Sequence, residues 1–192
     1  VLDPSTGGPP AGTGPLQTVY LAGSGTIRYD FTTGAPTVQA ARIYKSTDAG
    51  QSWLPADTGL PIPTYDTTIY YASPVQVVPL VIDPADPDTL YAGTIATVPG
   101  TGSPVEPLIS NGVVNGVFKS TDGGASWMHS SNGLPRLMPG DPDSPHRSVF
   151  ALAIAPSAPA TLYAAVNRDT FDARVYKTID GGANWTEANA GI

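Results

Sequence analysis

The chain has 192 residues, a net charge of −7, 13% charged residues, and 21 each of glycine and proline. That length supports one sizeable domain, the 41% apolar content is too high for disorder, and the acidic balance leaves no basic stripe for phosphates, which argues against a nucleic-acid partner. Cysteine is absent, which excludes disulfides, thiol chemistry and thiolate metal sites, and no signal peptide or membrane-spanning run is legible.

Scarce charge with abundant glycine and proline predicts a turn-rich β protein. In chain order, Val1-Leu2 before Asp3-Pro4 reads as a short strand, followed by a Gly/Pro-rich excursion from Asp3 to Gln17. Thr18-Val19-Tyr20-Leu21-Ala22-Gly23 is a second strand, and Gly25 to Ala40 is a long connection. Ala41-Arg42-Ile43-Tyr44-Lys45 alternates apolar and polar residues, the pattern of a half-buried strand. It runs into Ser46-Thr47-Asp48-Ala49-Gly50-Gln51-Ser52-Trp53, and Thr58-Gly59-Leu60-Pro61 closes a fourth strand.

The same order then repeats. Val78-Pro79-Leu80-Val81-Ile82-Asp83-Pro84, Thr89-Leu90-Tyr91-Ala92-Gly93-Thr94 and Asn115-Gly116-Val117-Phe118-Lys119 precede Ser120-Thr121-Asp122-Gly123-Gly124-Ala125-Ser126-Trp127, and Asn132-Gly133-Leu134-Pro135 ends the unit. A third pass runs from Phe150-Ala151-Leu152-Ala153-Ile154-Ala155-Pro156 through Thr161-Leu162-Tyr163-Ala164-Ala165 and Ala173-Arg174-Val175-Tyr176-Lys177. It reaches Thr178-Ile179-Asp180-Gly181-Gly182-Ala183-Asn184-Trp185 and ends at Ala190-Gly191-Ile192. The equivalent tyrosines Tyr20, Tyr91 and Tyr163 recur at intervals of 71 and 72 residues. All three tryptophans end an octapeptide and all three lysines immediately precede one.

Each octapeptide reads as a hairpin tip. Gly50, Gly124 and Gly182 take positive φ without steric cost. Asp48, Asp122 and Asp180 accept bonds from turn N–H groups. Ser46, Ser120 and Thr178 add a local hydroxyl, and Trp53, Trp127 and Trp185 open the return strand with a large apolar face for a core. Four strands per unit, called A to D, repeated at constant spacing are the signature of propeller blades.

The octapeptide resembles the Asp-box of the BNR repeat, S-x-D-x-G-x-[ST]-W, known from sialidases, xyloglucan-degrading endoglucanases, sortilin-type receptor ectodomains and a photosystem II assembly factor. The first two copies match throughout, and the third has Asn184 where Ser or Thr is usual. The resemblance spans the chain and implies an all-β fold: a β-propeller segment of three four-stranded blades with the box at each C–D turn. The expected blades are 1–61 with a truncated strand A, 62–135 with a D–A insertion at 62–76, and 136–192 with an insertion at 136–147. Three blades are expected to leave an incomplete ring, as if cut from a longer chain, because closed propellers carry about 4–8.

Function is less legible. The sialidase likeness implies an arginine cluster, an Arg-Ile-Pro segment and a Tyr-Glu pair. Arg28, Arg42, Arg136, Arg147, Arg168 and Arg174 have no such context, and Arg-Ile-Pro is missing. The two catalytic aspartates of the xyloglucan-degrading family match no position here, and the basic face of the assembly factor is not expected in an acidic chain. Long connections gather on the B–C and D–A face, where binding residues ride on loops. Tyr65, Asp66, Tyr70 and Tyr71 there form a candidate ligand face for carbohydrate, with packing of the insertion as the simpler reading. A glycosidase needs two carboxylates at a set separation, which sequence does not show.

Asp83-Pro84-Ala85-Asp86-Pro87-Asp88 and Asp141-Pro142-Asp143-Ser144 read as turns rather than calcium loops. His129 and His146 read as single histidines with no triad to join, and the Asn184-Trp185-Thr186 sequon reads as structural. No catalytic residue, metal or cofactor is assigned. The expectation is a non-catalytic structural or protein-interaction module, extracellular or in the cell envelope. Further blades or another protein chain would cover its open flanks, without membrane insertion. The alternative is a fragment of a xyloglucan-degrading glycoside hydrolase.

Overall fold

A computed structural model describes residues 18–23, 26–29, 36–39, 42–61, 65–66, 71–72, 75–96, 115–136, 139–141, 146–169 and 172–191. The described residues form fifteen strands and no helix. In the first unit β1 (Val19–Ala22) pairs with β4 (Ile43–Ser46), and β4 with β5 (Leu54–Pro55). A separate hairpin, β2 (Thr26–Tyr29) with β3 (Pro36–Gln39), occupies the connection between β1 and β4. Another, β6 (Tyr65–Asp66) with β7 (Tyr71–Ala72), lies between the first and second units.

The second and third units are complete four-stranded antiparallel sheets. β8 (Val75–Ile82), β9 (Leu90–Ala96), β10 (Gly116–Ser120) and β11 (Met128–His129) lie side by side in chain order. So do β12 (Val149–Ile154), β13 (Leu162–Asp169), β14 (Asp172–Thr178) and β15 (Thr186–Glu187). The protein is all-β, and these sheets are successive blades of a partial β-propeller. The first strand expected at Val1-Leu2 lies outside the described residues, so the first sheet has three described strands.

The cores lie between blades rather than within them. One cluster joins Tyr20, Ile43, Ala56 and Leu60 of the first blade to Leu80, Leu90, Ala92, Phe118 and Trp127 of the second. A second joins Tyr91, Val117 and Leu134 of the second blade to Val149, Leu162, Val166, Tyr176 and Trp185 of the third. Strand alternation explains this: each sheet buries one row of side chains against the blade before it and the other row against the blade after it. Truncating a tryptophan buried like Trp127, which is 3% exposed, costs about 3–5 kcal/mol.

The turn after each short D strand is shaped by the next blade. The Trp127 N–H donates to the Thr58 carbonyl at 2.9 Å, and the Trp185 N–H to the Asn132 carbonyl at 2.8 Å. Gly59 and Gly133 have φ of 91° and 88°, and an added Cβ would stand 2.3 Å from the Trp127 carbonyl oxygen and 2.1 Å from that of Trp185. Gly191 has the same backbone, φ 92°, with nothing described within 4 Å of its would-be Cβ. The pair Gly133→Ala and Gly191→Ala therefore shares the backbone strain and differs only in the inter-blade clash. Gly133→Ala is expected to destabilise the fold by ~1–3 kcal/mol more than Gly191→Ala, read as about 2–4 °C in Tm per kcal/mol. Equal melting temperatures would remove the inter-blade account of this glycine.

Candidate functional site

The three octapeptides fold into turns held by the same set of hydrogen bonds. Ser46 Oγ donates to Asp48 Oδ1 at 2.7 Å, Ser120 Oγ to Asp122 Oδ1 at 2.7 Å, and Thr178 Oγ1 to Asp180 Oδ1 at 2.6 Å. The N–H groups of Gly50, Gly124 and Gly182 return to those hydroxyls at 2.8, 2.9 and 3.1 Å. Each aspartate also takes the N–H of the seventh residue, from Ser52, Ser126 and Asn184, at 2.8, 2.8 and 2.9 Å. These bonds favour the carboxylate and hold all three aspartates at about 2. Side-chain bonds lead: Ser52 for Asp48, Ser126 for Asp122 and Thr178 for Asp180. Asn184, the departure in the third copy, fills the same place by donating its Nδ2 to Asp180 Oδ2 at 2.9 Å, while its Oδ1 accepts from Asn132 Nδ2 at 2.7 Å.

The turns differ in what their tryptophans meet. Each tryptophan reads from the sequence as anchoring its hairpin in a core, and Trp127 and Trp185 do so. That core is shared with the preceding blade, where they donate Nε1–H to the Ala56 carbonyl at 2.8 Å and the Ser130 carbonyl at 2.9 Å. Trp53 departs from this: it is 38% exposed and donates Nε1–H to the Gly50 carbonyl of its own turn at 3.1 Å. The anchor is completed by the neighbouring sheet, which the hairpin's own sequence does not name.

The receiving surface is a Tyr–Lys pair. Antiparallel register sets Tyr20 opposite Lys45, Tyr91 opposite Lys119 and Tyr163 opposite Lys177. Each ammonium lies over its partner ring, 5.4, 5.3 and 5.7 Å from the centroid, within cation–π reach. The Tyr20 hydroxyl and Lys45 Nζ both donate to the Gly123 carbonyl at 3.0 Å. Tyr91 and Lys119 grip the Gly181 carbonyl at 3.0 and 3.1 Å. Burial first, then the charges of Asp83, Asp180 and Asp86, push the Tyr91 hydroxyl up to about 12 and keep it a donor. The lysines were legible as repeat markers, but their task was not. The signal that reveals it is the cross-strand register of the repeated Tyr and Lys.

The remaining candidates divide. Tyr65 and Asp66 pair with Ala72 and Tyr71 through the backbone of β6 and β7, and Tyr70 lies outside the described residues. The Asp83–Asp88 segment is occupied by turn bonds. Asp83 Oδ1 accepts from the Ala85 N–H at 2.8 Å, Asp86 Oδ2 from Thr89 Oγ1 at 2.8 Å, and the Asp88 carbonyl from the Gly123 N–H at 2.9 Å. Among the described residues no three His, Cys, Asp or Glu side chains gather as metal ligands. Asp141 is exposed, and Asp143 lies outside the described residues.

His129 and His146 are not the isolated pair the sequence suggested. Their rings stand 4.9 Å apart, because the chain after β11 folds back to bridge His146 to Asn115 and Arg136. They line a cleft of about 240 Å³ with Ser130, Ser131, Asn132, Arg136, Gly182 and Ala183. Burial, then Arg136 and His129, bring His146 down to about 4, and burial lowers His129 in the same direction. The nearby Ser131 hydroxyl is engaged within the sheet, accepting from the Val117 N–H at 2.8 Å and donating to the Val117 carbonyl at 3.1 Å. A serine held in that way is not poised as a nucleophile.

No protein-family model matches the chain, and no curated protein matches it. Among solved structures it is similar to the GH74 xyloglucanase from Xanthomonas campestris, with 22% identity and a TM-score of 0.51. That likeness covers 88% of this chain and 22% of the other. At this identity the likeness shows the fold alone. Two further GH74 enzymes align less closely. One, from Niastella koreensis, has 21% identity and a TM-score of 0.48, over 86% of this chain and 22% of its own. The other, an ancestral enzyme, has 18% identity and a TM-score of 0.46, over 77% and 15%. The chain thus spans a fifth or so of the length of these enzymes.

Two titrations follow from the geometry. His146 sits at about 4 when folded against an ordinary value of 6.5, so the unfolded chain binds the proton first. Its contribution is whole above pH 6.5 and is lost as pH falls towards 4. The three aspartates, at about 2 against 3.8, contribute fully above pH 3.8 and lose that contribution as pH falls towards 2. His146→Gln should reduce the slope of Tm between pH 6.5 and 4 only, and Asp122→Asn the slope below 4 only. A variant whose Tm profile runs parallel to wild type in its own window would refute the assignment for that residue.

Proposed function

We propose that the chain is a non-catalytic, extracytoplasmic structural or protein-interaction module, a run of Asp-box blades whose working surfaces are the flanks. One observation carries the reading: the residues repeated in every unit are those spent on docking one blade to the next. Asp122 shapes the turn, Gly123 presents the carbonyl, Trp127 inserts, and Tyr20 and Lys45 receive. Low charge and abundant glycine and proline support placement outside the cytoplasm. No helix of the described residues is long and apolar enough to cross a membrane.

The second reading is a fragment of a glycoside hydrolase of the xyloglucan-degrading type, favoured by the likeness to the Xanthomonas campestris xyloglucanase. It would place sugar against the loop face that carries Tyr65, Asp66, Tyr70 and Tyr71, with Asp66 as a general acid. The two readings separate in one assay. The chain incubated with xyloglucan oligosaccharides is expected to release no new reducing ends. Turnover abolished by Asp66→Asn, with folding unchanged, would replace the first reading with the second.

A further inference from the structure

Of the five asparagines among the described residues, Asn132 alone is both exposed and followed by a glycine. Asn115 also precedes a glycine, but it is fully buried and the Gly116 N–H donates to Thr94 Oγ1 at 3.0 Å. Asn184 is exposed, but Trp185 follows it, and the Trp185 N–H is held by the Asn132 carbonyl at 2.8 Å. Asn132 and Gly133 are the two middle residues of the turn closed by the Leu134 N–H on the Ser131 carbonyl at 3.0 Å. The Gly133 N–H therefore lies outside the turn's own hydrogen bond.

We infer that Asn132 is a site of spontaneous deamidation, with water as the co-reactant, and that the change strikes the junction between the second and third blades. Hydroxide takes the Gly133 amide proton, and the nitrogen attacks Asn132 Cγ. The Gly133 N–Cγ bond forms, the Cγ–Nδ2 bond breaks, and ammonia leaves. Water then opens the cyclic imide. Breaking the new bond gives aspartate. Breaking the original peptide bond gives isoaspartate, in which the chain runs through Cβ and Cγ. Nothing is oxidised or reduced, and one amide becomes one carboxylate.

The fold fixes the reactive pair. Docking holds position 133 to glycine, because its φ is 88° and an added Cβ would stand 2.1 Å from the Trp185 carbonyl oxygen. The same missing Cβ leaves its nitrogen open to close approach. The amide at 132 is not needed for docking. At the first junction Thr58-Gly59 does the same work, the Thr58 carbonyl accepting the Trp127 N–H at 2.9 Å. One contact restrains the amide: Asn132 Nδ2 donates to Asn184 Oδ1 at 2.7 Å, between exposed side chains. Releasing a bond of that kind slows ring closure about 2- to 10-fold.

The product works against the junction. An aspartate at 132 has no proton to give Asn184. As Asn184 stands, its Oδ1 would face the new carboxylate. Turned over, its amide would meet residue 132 but set its oxygen against Asp180 Oδ2, to which Nδ2 donates at 2.9 Å. One acceptor faces another either way, so the third turn loses a bond to the blade before it or to its own aspartate. Isoaspartate goes further, because the carbonyl that receives the Trp185 N–H becomes a free carboxylate displaced from the main chain. The second junction ages, and the first, with Thr58 in this place, does not.

Peptide mapping with isoaspartate detection tests this on the full folded chain, held in warm, mildly alkaline buffer. Asn132 is expected to convert ahead of Asn115, Asn184 and Asn189, with release of ammonia. Asn184→Ser, which places in the third turn the residue that the first two carry, should speed conversion at Asn132 about 2- to 10-fold. Asn132→Thr should abolish it, and Asn132→Asp should melt below Asn132→Thr. An Asn132 that stays intact in the folded chain while the denatured chain converts overturns the inference. So does conversion no faster than at buried Asn115, or a rate indifferent to Asn184→Ser. Equal melting of Asn132→Asp and Asn132→Thr overturns the effect on the junction.

Discussion

One backbone carbonyl at the tip of the second and of the third aspartate turn is met by two donors from the blade before it. The Gly123 and Gly181 residues that carry these carbonyls have a left-handed backbone. A tyrosine hydroxyl and a lysine ammonium converge on each. The ammonium bond is charge-assisted and so stronger than a neutral one. The ammonium is also held in place over the tyrosine ring, which lowers the entropic cost of positioning a long side chain.

The rest of the repeat serves that contact. The aspartate and the leading hydroxyl make the turn rigid, so the carbonyl and the tryptophan keep a fixed offset. The tryptophan then reaches the preceding sheet with both its indole and its backbone N–H, and the glycine after each D strand clears the space it needs. Each hydrogen bond is worth only about 0.5–1.5 kcal/mol net. The buried indole contributes more, and the polar contacts set its register.

Because each blade packs on its neighbours, the architecture is nearly one-dimensional, with stability built from repeat and interface terms. The two ends of such an array are chemically unlike. One shows turns and tryptophan, the other tyrosine, lysine and accepting carbonyls. Trp53 and Tyr163 have no neighbouring blade against them among the described residues and are exposed, although their sequence surroundings match those of their buried counterparts. The cleft holding His129 and His146 arises from the same layout, at the junction where the second and third blades meet.

The sequence by itself determined the elements and the fold. Alternation around Val117 and Val175 specifies strands, Asp-x-Gly specifies tight tips, and the return of Tyr20 at Tyr91 and Tyr163 specifies repeated sheets, because these patterns are local and recur. It did not reveal which blade each side chain would serve. Alternation tells that a residue faces one side of a sheet, not what stands there, so Trp53 and Trp127 look alike until the neighbour is in place. Tyr20 meets Gly123 across 103 residues and Trp127 meets Ala56 across 71, separations at which no local pattern names the partner. His129 and His146 come together because the chain brings His146 back beside Asn115 and Arg136. The interfaces, and with them the candidate site, were decided by how the sheets stack.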